Sequence, residues 1–596
     1  MAKIERSDSN LFPMPKGAYI RNKVYVYVNT SNKYVPSSEK ISKSGKGYTG
    51  HDSICIGVIY DQEHPEIRKF YANANYHSQF LKKELPAPPK FSDSISIGLH
   101  CLIKEAAYGS GLMEDLAGVF GEETTEMILD LCSYMLSRES AVMQHVPAWA
   151  RDHVLFEADI PSDTFLGKAL KNSLSVSQIS LFRNRWALRN LEDGKIYLCY
   201  DSTNVNSQAD GVFLVQKGHA KDDPSLWQVN TDYVVRQSDG LPLTYLHSPG
   251  SVTDVAQAQE MIRFLERLKK DSGKNVELCL ICDRGYISGK NLRHMDKAGI
   301  GYILMLRTNF RLYDQLADPV LDVIRSYKNE LECGDGDERY GLTRKCVLYN
   351  DGPECWAQII WSAERYRSKR RETSLKIENE RKKLEAFISS SSDRSFLLKE
   401  LEWIAPYFKL KTEPGIPRYK ERRKRGRGSG TVTVELETVK VTGYEDDEEA
   451  INRLYVKSGI IVMVTSEQLT AQETEDAYAK RDNVEKTFRA LKSHLGMDRI
   501  GVTTEEAMHG KGLIWFTSSI LHALLFNRTT ALRISNRKYY TVPAMIEELE
   551  AIKADKDLKT GKRMRRYKLT HRQENILKCW NIDEKYIDEV IADLNE

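Results

Sequence analysis

A mixed α/β fold follows from residues 190–310, where short β-rich apolar runs alternate with two helical patterns. Two of the runs end in aspartate, and a strongly amphipathic helix follows far downstream. The first run is Lys195-Ile-Tyr-Leu-Cys-Tyr-Asp201, entered through the turn-forming Glu192-Asp-Gly194. Strand-like stretches follow at 226–236 and 242–247. A helix is expected over 252–268, with Val255, Met261, Ile262, Leu265 and Leu268 at helical spacing. The run Asn275-Val-Glu-Leu-Cys-Leu-Ile-Cys282 is next and ends in Asp283-Arg-Gly-Tyr286. A helix over 289–298 and a strand over 301–306 complete the order: three strands, helix, strand, helix, strand. Both aspartates are expected at or just past a strand end, where side chains converge on a pocket. Taken singly, each would be read as a turn or capping residue.

The downstream segment 478–492 reads as one helix. Val484, Phe488, Leu491 and Leu495 form its apolar face, and Gly496 supplies a C-terminal stop. Tyr478, Arg481, Glu485 and Lys492 fall on a neighbouring face at offsets of three, four and seven. A charged helix face is usually just solvated. Four specified residues at fixed offsets, however, match a given start with a probability on the order of 1 in 10⁵. A carboxylate flanked by cations has the chemistry to hold a divalent metal and grip the phosphates on which it acts.

Together, Asp201, Asp283, Glu485 and the tyrosine–arginine–glutamate–lysine signature resemble the DDE transposases of bacterial insertion sequences, in particular the YREK or IS-four-like group. The resemblance covers roughly 190–310 and 455–530 and extends to Gly218-His-Ala-Lys-Asp222 and Leu241-Pro-Leu-Thr. It implies an RNase H-like mixed-sheet catalytic core interrupted by a β-rich insertion. It also implies that the cofactor is a pair of Mg²⁺ ions about 3.5–4 Å apart, replaceable by Mn²⁺, held by oxygen ligands. Asp201 is assigned as the bridging ligand, with Asp283 and Glu485 each completing one shell. By resemblance, Tyr478, Arg481 and Lys492 contact the DNA backbone, with Arg489 a weaker candidate. The implied activity is cleavage at the transposon end followed by strand transfer into target DNA, with a hairpin between the two steps. The implied partners are double-stranded DNA and a second copy of the chain. Two rivals remain: a nuclease that cuts without joining, and a catalytically silent DNA-binding regulator.

At 596 residues the chain exceeds one ordinary core. With 41% hydrophobic and 29% charged residues it has a globular composition, and the resemblance implies a bacterial, nucleoid-associated cytoplasmic protein. The N-terminus lacks the apolar core of a signal peptide, and the greasiest stretch, 513–526, is too short and polar to span a membrane. Ten scattered cysteines suggest a reducing environment, and Cys279 and Cys282 read as core residues on opposite faces of a strand. A net charge of only +3 means that DNA contact must come from local patches.

Five regions are expected. Residues 1–165 form an α+β region, β-rich over 18–75 and helical over 95–160, which by position resembles the family's DNA end-recognition part, the alternative being a structural or dimerisation domain. The catalytic core occupies 190–310 and 456–530, split by the insertion at 311–455, and a helical C-terminal region runs over 531–596. Within the insertion, the cations of 365–371 open a charged helix read as solvated. Arg418-Tyr-Lys-Glu-Arg422-Arg423-Lys424-Arg425-Gly-Arg427 reads instead as a loop that orders on a polyanion. Trp356 and Trp361 are core residues or base-stacking platforms. The C-terminal basic run 562–568 suits contact with DNA, with a partner subunit, or with both.

Overall fold

The computed structural model describes all residues except 1–3, 5, 36–47, 82–93, 158, 160–161, 219–225, 287, 334–335, 392, 424–430, 537–538, 558–559 and 596. Two compact units emerge, residues 1–90 and 91–596. The first carries a five-stranded sheet built from Leu11–Pro13, Tyr19–Arg21, Tyr25–Val35, Tyr48–Ile59 and Lys69–Ala72, with Val26, Ile56 and Phe70 fully buried.

The second unit is organised by a nine-stranded mixed sheet. Its main strands are β1 (Gly194–Asn206), β2 (Trp227–Arg236), β3 (Pro242–Pro249), β4 (Val276–Cys282), β5 (Gly301–Met305), β6 (Arg339–Val347), β7 (Glu354–Ser362) and β8 (Ile460–Thr465). Their spatial order is β3-β2-β1-β4-β5-β8-β7-β6, with Gln216–Lys217 beside β2. Only the β1–β4 and β4–β5 pairs are parallel. Helices α1 (Asp254–Asp271) and α2 (Gly289–Ala298) make the crossovers that such pairs require. The order of elements over 190–310 matches the one expected from sequence.

Among the described residues, six strands fall in the interval 311–455, expected to be a β-rich insertion. Of its first two strands, β7 pairs with β8 and β6 with β7, and together they widen the main sheet. Its centre is the 28-residue helix α3 (Ala363–Ser390). That helix is exposed and laced with ion pairs, among them Lys369–Glu372, Lys383–Glu380 and Arg381–Asp446, as a solvated helix should be. Trp361 on β7 is buried and donates its indole N–H to the Val456 carbonyl at 3.0 Å, which makes it a core residue.

After β8 come α4 (Ala471–Ala479), α5 (Asp482–His494) and α6 (Glu505–Arg528). The greasy stretch 513–526 lies in α6, where Leu513, Ile514, Trp515, Phe516, Ile520 and Leu521 are all at most 1% exposed. An all-round apolar helix of this kind is a core helix. Among the described residues, no helix is long and apolar enough to cross a membrane. In the C-terminal basic run, Arg565 pairs with Glu584 and Asp588, and Arg566 with Asp555.

Gly496 ends α5 in the left-handed region, at φ +64°. A Cβ there would sit 2.5 Å from the Ala141 amide nitrogen. Gly496→Ala therefore combines left-handed strain with a backbone clash, and should cost at least about 2 kcal/mol. A lower midpoint of chemical unfolding would show it, and an unchanged midpoint would refute this packing.

Candidate active site

Parallel pairing of β1 with β4 ends at Tyr200 and Cys282. Asp201 and Asp283 are the next residue on each chain, so the ladder itself sets the two carboxylates side by side. Asp283 follows β4, as expected. Asp201 does not end its strand: β1 runs on to Asn206, because β2 continues to pair with it through Gln228. Asp201 thus marks the place where β1 loses its neighbour on one edge only.

The signature segment is two helices and not one. Tyr478 lies in the last turn of α4, Arg481 in the joint, and Glu485 in the first turn of α5. Side chains from the sheet take up backbone carbonyls around the joint. Gln237 Nε2 donates to the Ala477 carbonyl at 2.8 Å, and Cys199 Sγ to the Lys480 carbonyl at 3.7 Å. Asn483 Nδ2 returns a bond to the Gln237 carbonyl at 2.7 Å. These contacts dock the joint onto β1 and β2, and Val484, Phe488, Leu491 and Leu495 are buried behind it as expected.

The joint places the Arg481 guanidinium among the acids. Its Nη1 lies 3.3 Å from Asp201 Oδ2, and its Nη2 bonds Glu485 Oε1. Burial opposes its charge, but Tyr478, Asp201, Glu485 and Asp283 together raise its pKa above the ordinary arginine value. The Tyr478 ring lies 5.6 Å from the guanidinium, and its phenol is pushed up chiefly by burial, with Asp283 and Asp201 adding to it. Two of the predicted acids, Asp201 and Glu485, therefore bond one cation, and the charge of Asp283 adds to theirs. Asp201 is 14% exposed and Glu485 45%, so the pocket opens on the α5 side.

Lys492 and Arg489, further along α5, have no ion-pair partner among the described residues. Arg489 lines a cleft of about 520 Å³ with Lys486, His494, Phe526 and Arg533. The backbone of Arg422 and Arg423 lies in a hairpin strand, Arg418–Arg423. Lys424 and Arg425 fall outside the described residues, as do positions 219–222 of the glycine-led segment.

Residues beyond the predicted set surround Asp201. Tyr286, three positions after Asp283, reaches Asp201 Oδ1 at 3.1 Å and Ser202 Oγ at 2.9 Å. Ser202 Oγ donates to Asp254 Oδ1 at 3.2 Å. Asp232 sits opposite Ser202 in the ladder, fully buried, and its carboxyl is pushed well above the usual range by burial and then by Asp254. Burial, together with Asp201, Asp232 and Asp254, likewise pushes the Tyr286 phenol up. One signal in the sequence points to this cluster: a polar Asn230-Thr-Asp232 run inside a strand that is otherwise apolar.

A family model, the transposase DDE domain, matches residues 194–521, more than half of the chain. The protein belongs to the DDE transposases. All three acids of this DNA transposase lie inside the matched span. No curated protein matches the transposase. Among solved structures, a cryo-EM structure of the piggyBac transposase synaptic complex with hairpin DNA aligns over 84% of this chain and 85% of that one, at 10% identity and TM-score 0.30. A likeness that slight carries no argument.

DDE transposases generally depend on divalent metal. The donor set here fits such a metal: hard carboxylate oxygens converging on a cation, with the nearby thiols of Cys199 and Cys282 buried and pushed up out of the thiolate range. Among the described residues, no three of Asp, Glu, His and Cys yet form a group close enough to hold an ion. Arg481 bonds Asp201 and Glu485 as their counter-charge.

Proposed function

We propose that this transposase cuts at the ends of a bacterial insertion sequence and transfers the freed strand into target DNA, as a YREK-type enzyme with an RNase H-like core. The observation that carries this reading is that Arg481 bonds both Asp201 and Glu485, while the β1–β4 register sets Asp283 next to Asp201. Two Mg²⁺ or Mn²⁺ ions, when bound, neutralise charge on the attacking and leaving oxygens. Asp201, Asp283 and Glu485 would hold those ions, and Asp201 is our candidate for the ligand they share.

The chain's own residues do the rest. Arg481, displaced from the acids, has the forked geometry to take a backbone phosphate, with Tyr478 against its face. Lys492 and Arg489, which lack acid partners among the described residues, are available to the strand beyond the cleavage point. Arg422, Arg423, Lys424 and Arg425 supply a further cationic stretch for the duplex. Residues 1–165 recognise the end sequence, and a dimer pairs two ends. In the first step water attacks the end phosphodiester and releases a 3′-OH. That hydroxyl then attacks either the opposite strand, forming a hairpin, or the target.

The test uses purified protein and a plasmid carrying its gene with native flanking DNA, incubated with Mg²⁺ or Mn²⁺ and sequenced. Excision with insertion elsewhere is expected. Cutting without joining would replace strand transfer with nuclease activity, and tight end binding without cutting would favour a regulator. A denaturing gel reports the hairpin, and a double-strand break lacking that species would remove it from the scheme.

A further inference from the structure

The turn that carries Asp283 also supplies the phenol that reaches Asp201. Asp201 and Ser202 are consecutive strand residues whose side chains leave opposite faces of the sheet. One hydroxyl reaches both only because β4 stops at Cys282, which leaves the edge of β1 open there. The Tyr286 ring fills that opening, 4% exposed and packed 4.7 Å from Tyr200.

We propose that Tyr286 is a positioning residue: it fixes one oxygen of Asp201 so that the other is aimed at the divalent cation. The inference rests on the reading of Asp201 as a metal ligand. Asp201 Oδ1 accepts from the Ser202 amide at 2.8 Å and from the Tyr286 hydroxyl at 3.1 Å. Oδ2 is thereby turned toward Arg481, which also bonds Glu485.

A count of protons explains why Ser202 and Asp254 belong to the device. Two hydroxyls, Tyr286 and Ser202, each own one proton to donate, and the carboxylates Asp201 and Asp254 only accept when ionised. Ser202 gives its proton to Asp254 at 3.2 Å. The Tyr286 proton is then left for Asp201, with Ser202 as its alternative acceptor.

The turn is held on three sides. Arg307 donates from Nε to the Arg284 carbonyl at 2.8 Å and from Nη2 to the Gly285 carbonyl at 3.0 Å. Asn291 Nδ2 ties the Tyr286 carbonyl, at 3.0 Å, to the Val255 carbonyl of α1. A Cβ at Gly285 would come within 3.1 Å of Asp254 Oδ2, so the turn packs closely on the acid that holds the Ser202 proton. Outer hydrogen bonds of this kind orient metal ligands, and their loss typically weakens metal binding about 10–100-fold.

The experiment titrates full-length protein with Mn²⁺ alone by calorimetry, comparing wild type with Tyr286→Phe, Ser202→Ala and Arg307→Met. Tyr286→Phe should weaken Mn²⁺ binding about 10–100-fold and raise the Mn²⁺ needed for half-maximal cleavage by a similar factor. Its thermal midpoint and end-DNA binding should match wild type. Ser202→Ala, which leaves the Tyr286–Asp201 bond in place, should fall well short of that loss. Arg307→Met tests the same turn without touching the buried ring, and should also weaken Mn²⁺ binding. Wild-type affinity in both Tyr286→Phe and Arg307→Met would overturn the proposal, as would an equal loss in Ser202→Ala. If wild type itself binds no Mn²⁺, the reading of Asp201 as a metal ligand falls first.

Discussion

Glu485→Gln is expected to abolish metal-dependent DNA cutting while leaving the protein folded and able to bind transposon ends. Glutamine keeps the shape of the side chain but removes the charge and one strong oxygen ligand. Glu485 lies in the first turn of α5, 45% exposed, and its ion pair is to Arg481, so the fold does not lean on it. The loss should exceed the ~10–100-fold typical of an outer hydrogen-bond partner, and about 10³-fold is a reasonable lower bound. Product sequencing beside wild type measures it. Equal cutting by both proteins would remove Glu485 from the metal-ligand set.

Arg481→Ala should separate two roles that one side chain holds in this structure. As the counter-charge of Asp201 and Glu485, Arg481 stabilises the protein without metal. Removing a partner from a fully buried pair costs ~3–5 kcal/mol, and the solvent access of Glu485 lowers the expected cost to about 2 kcal/mol. The same guanidinium competes with a divalent cation for the acids. The variant should therefore bind Mn²⁺ more tightly, on the order of tenfold, and regain its thermal midpoint when Mn²⁺ is added. Cleavage should nevertheless fall about 10²–10³-fold, the usual cost of losing one charge-stabilising donor. Weaker Mn²⁺ binding in the variant would show that Arg481 supports the metal instead of standing in for it.

Much of this arrangement is legible in the sequence. The periodicities of 252–268 and 289–298 identify α1 and α2 because both helices pack one apolar face on a sheet. The alternation of strands and helices locates β1 to β5, and the spacing of Val484, Phe488, Leu491 and Leu495 marks the buried face of α5. Other features are not local. The break between α4 and α5 has no proline or glycine to announce it, since Gln237 and Cys199, more than 200 residues upstream, take up carbonyls at that joint. The addition of β6 and β7 to the main sheet depends on edge pairing with β8 across roughly 100 residues of chain.

The sequence by itself determined which residues are the candidates for the chemistry. Three carboxylates, a phenol and cations at fixed spacing are properties of residue type and offset, and they carry the family with them. Only the tertiary structure decided how those atoms meet. The parallel register of β1 and β4 puts Asp201 beside Asp283, and the end of β4 opens the slot that Tyr286 fills. The α4–α5 joint brings Arg481 between the acids. Each of these depends on contacts between segments far apart in the chain, whose pairing is set by the packing of the whole sheet and not by any local pattern.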